Sequence, residues 1–363
     1  MINKNVAVIT GIEGMDAAHL SKFLLDKGYK VVGFSRRSGS STGWRLIELG
    51  INDHPNLIKE YVDITEYHNV LSAIEKWKPE LLFNLAAMSF VKTSFDQPFL
   101  TNDVNYIGLL NLISAIKIHS PKTKLYQAST SEMFGEVLET PQSETTPFNP
   151  VSPYGISKLS SYYAIKLARK EGIFACSGIL FNHESPLRGE EFVTRKITKK
   201  VAEIKYCLEN NLSFTPLVLG NMDAKRDWSY AGDMVEGMWL MFQYNKPDDY
   251  VLCSGDCYMV REFVDYAFYY AGIPIAWEGK GIDEKVVIRD FFGSSSNGSV
   301  LVEVSPEFFR PAEVDILIGD CTKAKEILNW KPKYSFSMLV ESMVKADIER
   351  TKSKKIIIRD DCE

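Results

Sequence analysis

Two short stretches of this 363-residue chain carry side chains that could do chemistry together. The first, "QASTSEMFG", sets Thr130, Ser131 and Glu132 just after a run that reads as a buried strand, and the second, "SPYGISK", holds Tyr154 and Lys158. Residues spaced like this Tyr and Lys share one face of a helix. A phenol with a pKa of about 10 is a poor base at neutral pH. A Lys ammonium beside it favours the phenolate, which can then take a proton from a hydroxyl. A carboxylate at a strand end is either the acid/base partner of such a pair or a polar exit into solvent. The Y-x-x-x-K spacing alone is common by chance, so the elements that carry these residues have to decide.

Those elements alternate. "NVAVIT", "KVVGFS", "LIKEYVD", "ELLFNLAA" and "KLYQAST" are short apolar runs that read as strands. Between them, residues 11–28, "EYHNVLSAIEKW" and "NYIGLLNLISAIKIH" carry helical periodicity. Strands alternating with helices predict an α/β fold, a Rossmann-type doubly wound parallel sheet with helices on both faces. Ligands bind such sheets beyond the carboxyl ends of the strands, which is where Thr130 and Glu132 fall. The segment from 149 opens a further helix, with Ser152 as its cap and Pro153 in the first turn.

"TGIEGMDAAHL" puts Gly11 and Gly14 between the first strand and its helix. Gly11 permits the tight turn, and Gly14 lets backbone approach a pyrophosphate at the helix N-terminus. Ala17 takes the third small position. After the second strand, where a carboxylate would bind the ribose hydroxyls of NAD, the chain has Arg36 and Arg37 followed by Ser38. Two guanidiniums suit a 2′-phosphate, which favours NADP over NAD. Asp63, closing the third strand, would lie near the adenine, although an Asp there also makes an ordinary turn.

Beyond about residue 180 the alternation loosens into a smaller, mostly helical lobe. Helices are expected in "FVTRKITKKVAEIKYCLEN", "DMVEGMWLMFQ", "MVREFVDYAFYYAG" and "SFSMLVESMVKADIER", and a surface loop in the Gly/Ser-rich "FFGSSSNGS". The expected organisation is an NADP-binding domain over 1–180, to which parts of later segments return, a substrate lobe over 181–350, and a loosely held tail over 351–363. A net charge of −5 argues against nucleic-acid binding. No apolar stretch approaches the ~20 residues that span a membrane, and "MINKNVAVIT" runs straight into a strand without a leader pattern. The six cysteines, among them Cys253 and Cys257, have no second pair or His cluster to complete a metal site. Free thiols suit a reducing cytoplasm.

Taken together, "TGIEGMD", "NLAA", "STSE", "YGISK" and "FNHESPLRGEEFVTRKI" resemble the extended short-chain dehydrogenase/reductases, and within them the GDP-mannose 4,6-dehydratase family. The likeness continues through "LGNMDAKRDW", "DDYV", "FFRPAEVD" and "LNWKP", so it covers nearly the whole chain. It implies a lyase that dehydrates a GDP-linked, manno-configured sugar with NADP. Thr130, Glu132, Tyr154 and Lys158 form the catalytic set it implies, with Thr130 bonding the 4-oxygen and Glu132 reaching C5 and C6 from the same side of an extended segment. The cofactor would be held by Gly11, Gly14, Met15, Asp16, Arg36, Arg37, Ser38, Asp63, Ile64, Leu85, Ala86, Ala87, His183 and Arg188, with Tyr154 and Lys158. The substrate would be held by Ser89, Asn182, Val193, Lys196 and Arg226, and its guanosine end by Arg310 and Glu313. The family's loop at Arg36–Ser41 reaches a neighbouring subunit, which implies a homotetramer.

Three positions depart from the family's pattern. Met15 stands where Gln is common, and Met88 and Phe90 flank Ser89 in place of Gln and His. These changes near the sugar leave GDP-mannose and GDP-manno-heptose both open as substrates. A nucleotide-sugar epimerase would need Tyr154 but has no use for Glu132, and a non-catalytic nucleotide-binding relative would be expected to lose Tyr154 or Lys158.

Overall fold

The computed structural model describes residues 3–37, 43–289, 298–306 and 317–353. It divides into two compact units. The first contains the described residues up to His183, then Ala231–Gly255 and the described part of the segment ending at Lys333. The second contains Glu184–Tyr230 and described residues that follow Asp256 and Tyr334.

In chain order the longer strands are β1 (Asn3–Thr10), β2 (Lys30–Ser35), β3 (Leu57–Tyr61), β4 (Pro79–Asn84), β5 (Lys124–Thr130), β6 (Ala175–Leu180), β7 (Leu217–Leu219), β8 (Asp249–Leu252), β9 (Ile275–Glu278), β10 (Lys285–Ile288) and β11 (Val300–Val304). The longer helices are α1 (Met15–Asp26), α2 (Tyr67–Trp77), α3 (Gly108–His119), α4 (Pro153–Lys170), α5 (Val193–Glu209), α6 (Ala231–Gln243), α7 (Val260–Ala271) and α8 (Phe336–Lys352).

The first unit is built on a seven-stranded sheet in the order β8-β6-β5-β4-β1-β2-β3. Its neighbouring strands pair in parallel. The doubly wound α/β fold expected from the alternation is therefore present. Strands covered on both faces read as continuous apolar runs, and β6 is buried along its whole length. The strand order turns between β1 and β4, so the chain leaves these two strands in opposite directions across the sheet. The core against this sheet runs from Val8 and Val32 through Leu82 and Leu125 to Leu109, Ile116 and Ile165.

The second unit has its own core, in which Ile197, Val201, Phe263, Phe268, Leu339 and Met343 bring α5, α7 and α8 together. It is helical in the main, as expected, but it also contains a four-stranded sheet in the order β9-β10-β11-β7. These strands are three to five residues long, too short to give a distinctive alternation. Ser335 caps α8 by accepting from Met338 N at 3.2 Å. That helix runs through Lys352, so the start of the expected tail is helical, with Thr351 buried. Residues 354–363 and most of the loop "FFGSSSNGS" lie outside the described residues.

Candidate active site

The end of β5 and the start of α4 build the centre of the site. Thr130 is the last residue of the strand, and Ser131–Met133 turn at once into a short 3-10 helix. The expectation that Thr130 and Glu132 lie two apart on extended chain is corrected here. The Thr130 hydroxyl caps the turn by accepting from Glu132 N at 3.2 Å, and that contact bends the chain. Helix α4 starts as its sequence predicts, with Pro153 in its first turn and the Ser152 hydroxyl accepting from Gly155 N at 3.0 Å. Gly155 is where the helix meets the turn: a Cβ there would stand 2.7 Å from the Glu132 carbonyl oxygen. Only a glycine permits this approach, which brings the helix bearing Tyr154 against the turn bearing Glu132.

Lys158, one turn further on, is buried, and its Nζ donates to the Ala128 carbonyl at 2.8 Å. Its ammonium also lies 5.9 Å from the centre of the Tyr154 ring. Burial lowers the Lys158 pKa to about 8, because the charged form loses solvation. Thr130 and Tyr154 are buried as well, and Glu132 is half-buried.

The glycine turn adjoins the ends of β1 and β4. Gly11 has φ +69°, and a Cβ on it would sit 2.9 Å from Ala86 Cα. The left-handed conformation and the close approach both require glycine. Gly14 is exposed at the N-terminus of α1, Met15 is buried as its first residue, and Asp16 follows in the first turn. The His183 ring lies between two acceptors, with Nε2 2.9 Å from Asp16 Oδ2 and Nδ1 2.7 Å from the Phe181 carbonyl. His183 thus ties the end of β6 to the start of α1. His19, also beside Asp16, has its pKa lowered to about 4, chiefly by burial.

Arg36 and Arg37 are exposed immediately after β2, while Ser38 lies outside the described residues. Asp63 makes a turn: its Oδ1 accepts from Thr65 N at 3.0 Å and from the Thr65 hydroxyl at 2.7 Å. Ile64 is buried, and its carbonyl accepts from Asn111 Nδ2 at 2.9 Å. Leu85, Ala86 and Ala87 are half-buried past the end of β4, Ser89 is exposed, and Asn182 is half-buried past β6.

The remaining positions belong to the second unit. Arg188 Nε is 3.0 Å from Glu184 Oε2, and its guanidinium stacks 3.4 Å from the centre of the Phe192 ring. Val193 opens α5. Lys196 Nζ donates to the Val218 carbonyl at 2.7 Å, with its pKa lowered by burial. Arg226 Nη1 donates to the Lys225 carbonyl at 2.7 Å. Arg310 and Glu313 lie outside the described residues.

Residues 8–343 match the model of a family described as GDP-mannose 4,6 dehydratase. The chain belongs to that family. The GDP-mannose 4,6 dehydratase of Homo sapiens is 47% identical over 95% of this chain and 92% of its own length. The GDP-mannose 4,6-dehydratase of Vibrio cholerae serotype O1 is 44% identical over 98% of this chain and 97% of its own. Among solved structures, the UDP-glucose 4-epimerase of Thermotoga maritima with UDP-glucose has a TM-score of 0.75 at 22% identity, covering 96% of this chain and 99% of that one. The dTDP-glucose 4,6-dehydratase of Bacillus anthracis in complex with NAD also has a TM-score of 0.75, at 19% identity, covering 96% and 97%. At such identities these structures speak to the fold alone.

Two residues that brace the candidate site escaped the sequence reasoning. Asn105 sits in a π turn, Asp103–Ile107, that leads into α3. Its Oδ1 accepts from Met88 N at 2.9 Å, while its Nδ2 donates to the Met88 carbonyl at 3.2 Å and to Ser157 Oγ at 2.9 Å. It therefore fixes the segment after β4 to the helix that bears Tyr154 and Lys158. Arg45 reaches from the short helix Trp44–Glu48 to donate to the Glu13 carbonyl within the glycine turn, at 3.0 Å. Asn105 offered one usable signal, an amide among apolar residues of a helix, whereas Arg45 offered none.

Proposed function

We propose that the chain catalyses the NADP-dependent 4,6-dehydration of a GDP-linked, manno-configured sugar to its 4-keto-6-deoxy form. The observation that supports this reading is the junction at Gly155, where the backbone of the Glu132 turn meets the helix that bears Tyr154 and Lys158. Membership of the dehydratase family supports it, and the epimerase and non-catalytic alternatives gain no such support.

The residues fit a dinucleotide. The Gly11 turn leaves no room for a Cβ, and the exposed Gly14 precedes the first amides of a 12-residue helix, where a pyrophosphate would be held. A bound nicotinamide would supply the hydride acceptor for C4 of the sugar and then the hydride donor for C6. Tyr154, as phenolate, takes the proton of the 4-hydroxyl, and the Lys158 ammonium stabilises that phenolate. Thr130 orients the 4-oxygen. Once C4 is a ketone the C5 hydrogen is acidic, and Glu132 removes it. That proton leaves with the C6 hydroxyl as water, and the proton taken by Tyr154 balances the C5–H bond that re-forms.

Arg36 and Arg37, exposed after β2, favour NADP. Replacing both with Ala should weaken NADP binding at least tenfold more than NAD binding, since charge-assisted contacts contribute about 1.5–3 kcal/mol each. Equal losses would remove the preference. Arg310 and Glu313 would hold the guanosine, and Lys196 and Arg226 the diphosphate. A homotetramer is consistent with the apolar face shared by α4 and the segments Val91–Asp96 and Pro98–Asn102. There Phe99 is 85% exposed, with Phe95, Ile156, Tyr163 and Leu167 also in solvent. Five free cysteines among the described residues suit a cytoplasmic protein. No helix among the described residues is long and apolar enough to cross a membrane. Incubation with GDP-mannose and, separately, GDP-manno-heptose, followed by mass spectrometry, tests the reading. Loss of one water from either supports it and names the sugar, and no loss from both refutes it.

A further inference from the structure

Thr10 and Asn84 end β1 and β4, Gln127 lies midway along β5 in register with them, and all three are buried, at 0%, 1% and 1% exposure. Their hydrogen bonds run in one direction. The Thr10 hydroxyl oxygen accepts from Leu85 N and Ala86 N, both at 3.0 Å, so its own proton goes to Asn84 Oδ1 at 2.7 Å. That contact turns the Asn84 amide nitrogen to Gln127 Oε1 at 2.7 Å, and Gln127 Nε2 then donates to the Ala128 carbonyl at 3.0 Å. Flipping either amide would set acceptor against acceptor. The same Ala128 carbonyl receives Lys158 Nζ at 2.8 Å. Both of its lone pairs are used, one by the row and one by the lysine.

We propose that Gln127, oriented by Asn84 and Thr10, is a positioning residue that holds the Lys158 ammonium in place beside the Tyr154 phenol. The proposal rests on the reading of Tyr154 and Lys158 as the proton-transfer pair. Three buried polar side chains in mid-sheet are costly wherever a bond is left unmade, and apolar residues would fill the space without that risk. What the row adds is direction. It starts at the backbone amides of the segment after β4 and ends on the carbonyl that anchors Lys158. Burial already draws the Lys158 pKa down, and Ala128 is its hydrogen-bond anchor. Glu132 is the carboxylate in the turn that follows β5. Without the Gln127 donor one lone pair of the Ala128 carbonyl is left open, and the ammonium is drawn toward it and out of its place beside Tyr154.

The test compares Gln127→Met and Gln127→Leu with Ser177→Ala. Ser177 is the next residue in the same row, on β6, and is equally buried. The readouts are the acid limb of kcat/KM for cofactor reduction and the Tyr154 titration of the unliganded protein, taken by ultraviolet difference against Tyr154→Phe. Both Gln127 variants should move the limb and the Tyr154 titration up by about one pH unit, a tenfold change in the proton equilibrium. KM for the GDP-sugar should stay within about twofold. Ser177→Ala should move neither. Gln127→Leu is close in volume and equally uncharged, so it decides the matter if Gln127→Met does not fold. Unshifted titrations in folded Gln127 variants, or an equal shift in Ser177→Ala, overturn the proposal. If the unaltered protein reduces no cofactor with any GDP-sugar, the functional reading fails instead, and the Tyr154 titration still reports on the positioning.

Discussion

In the first unit, the buried polar row across β1, β4 and β5 is neutral throughout and finishes on one backbone carbonyl, that of Ala128. In the second, a buried cluster is charged: Asp347 lies 2.8 Å from Arg195 Nε and 2.7 Å from Arg350 Nη1, and it accepts from Thr198 Oγ1 at 2.7 Å. This cluster also finishes on carbonyls. Arg195 donates to Pro186 and Arg188, at 3.0 and 2.9 Å, and Arg350 to Pro186 at 2.7 Å. Both devices hold backbone in place, yet only one borders titrating groups. A formal charge beside Lys158 and Tyr154 would shift their proton equilibria, whereas amides fix geometry with little net field. The loop from Glu184 to Phe192 has no such pair to protect, and two guanidiniums with a shared carboxylate hold it more firmly.

The largest effect should come from removing the carboxylate in the turn beyond the neutral row. Glu132→Gln keeps the size of the side chain but cannot accept the C5 proton. Elimination should fall by about 10²–10⁴-fold, the usual contribution of general acid–base catalysis. Oxidation at C4 depends on Tyr154, Lys158 and Thr130 and should survive in part. Mixed with substrate in a single turnover, the variant should build up reduced cofactor absorbance that persists. Product at the unaltered rate would mean Glu132 is only a polar turn residue. If no reduced cofactor forms, Glu132 serves the first step or the fold.

Next comes the charged cluster itself. Asp347→Ala leaves two buried guanidiniums without their shared anion, and breaking a buried pair from one side costs about 3–5 kcal/mol. Burial already lowers the Arg195 pKa, with Asp347 acting against it. The denaturation midpoint should fall sharply, while activity per folded molecule falls far less than in Glu132→Gln. A variant as stable as the parent would show that the cluster holds nothing.

Much of this was legible in the sequence, for physical reasons that also mark the limit. The parallel sheet announces itself in continuous apolar runs such as "NVAVIT", because strands covered on both faces have no polar side to show. The cap of α4 was legible because Ser152 and Pro153 act locally. The bend at Thr130 was not, since an extended strand end and a hydroxyl-capped turn share the same residue types. The row was hidden for another reason. Asn84 and Gln127 are 43 residues apart, and only strand pairing reveals that they touch. The Asp347 cluster likewise joins residues from opposite ends of the second unit. Short strands such as β7 have too few residues to show a period at all.

The comparison sharpens at Lys158, where a charge is needed although the side chain is buried. Its pKa is lowered to about 8 by burial, so the ammonium is present below that pH and disappears as pH rises through it. The unaltered protein should therefore show an alkaline fall in kcat/KM near pH 8. Lys158→Arg keeps a cation whose pKa is far above that range, so the alkaline fall should vanish even though the rate is lower throughout. If the fall persists in the Arg variant, it belongs to another group and the lowered lysine has no part in it.

The smallest effect should come from a charge that does not need to be buried. Lys205 and Glu209 form a 2.8 Å pair one turn apart on α5, the same helix that carries Arg195, with side chains 21% and 44% exposed. A pair of this kind contributes about 0.3–0.5 kcal/mol, because water screens it and two long side chains give up rotamer freedom to make it. Its order is also the weaker one for a helix, with the lysine on the N-terminal side. Lys205→Gln keeps helix propensity nearly unchanged and removes only the charge. Its denaturation midpoint should move by less than about a tenth of the change in Asp347→Ala. The small difference should disappear in ~1 M salt, where the screening length is about 3 Å. The Asp347 variant should stay destabilised at the same salt, since its partners are beyond the reach of ions. A loss at Lys205 comparable to that at Asp347 would mean that α5 is held by charge on every side, and the contrast between its buried and exposed faces would fail.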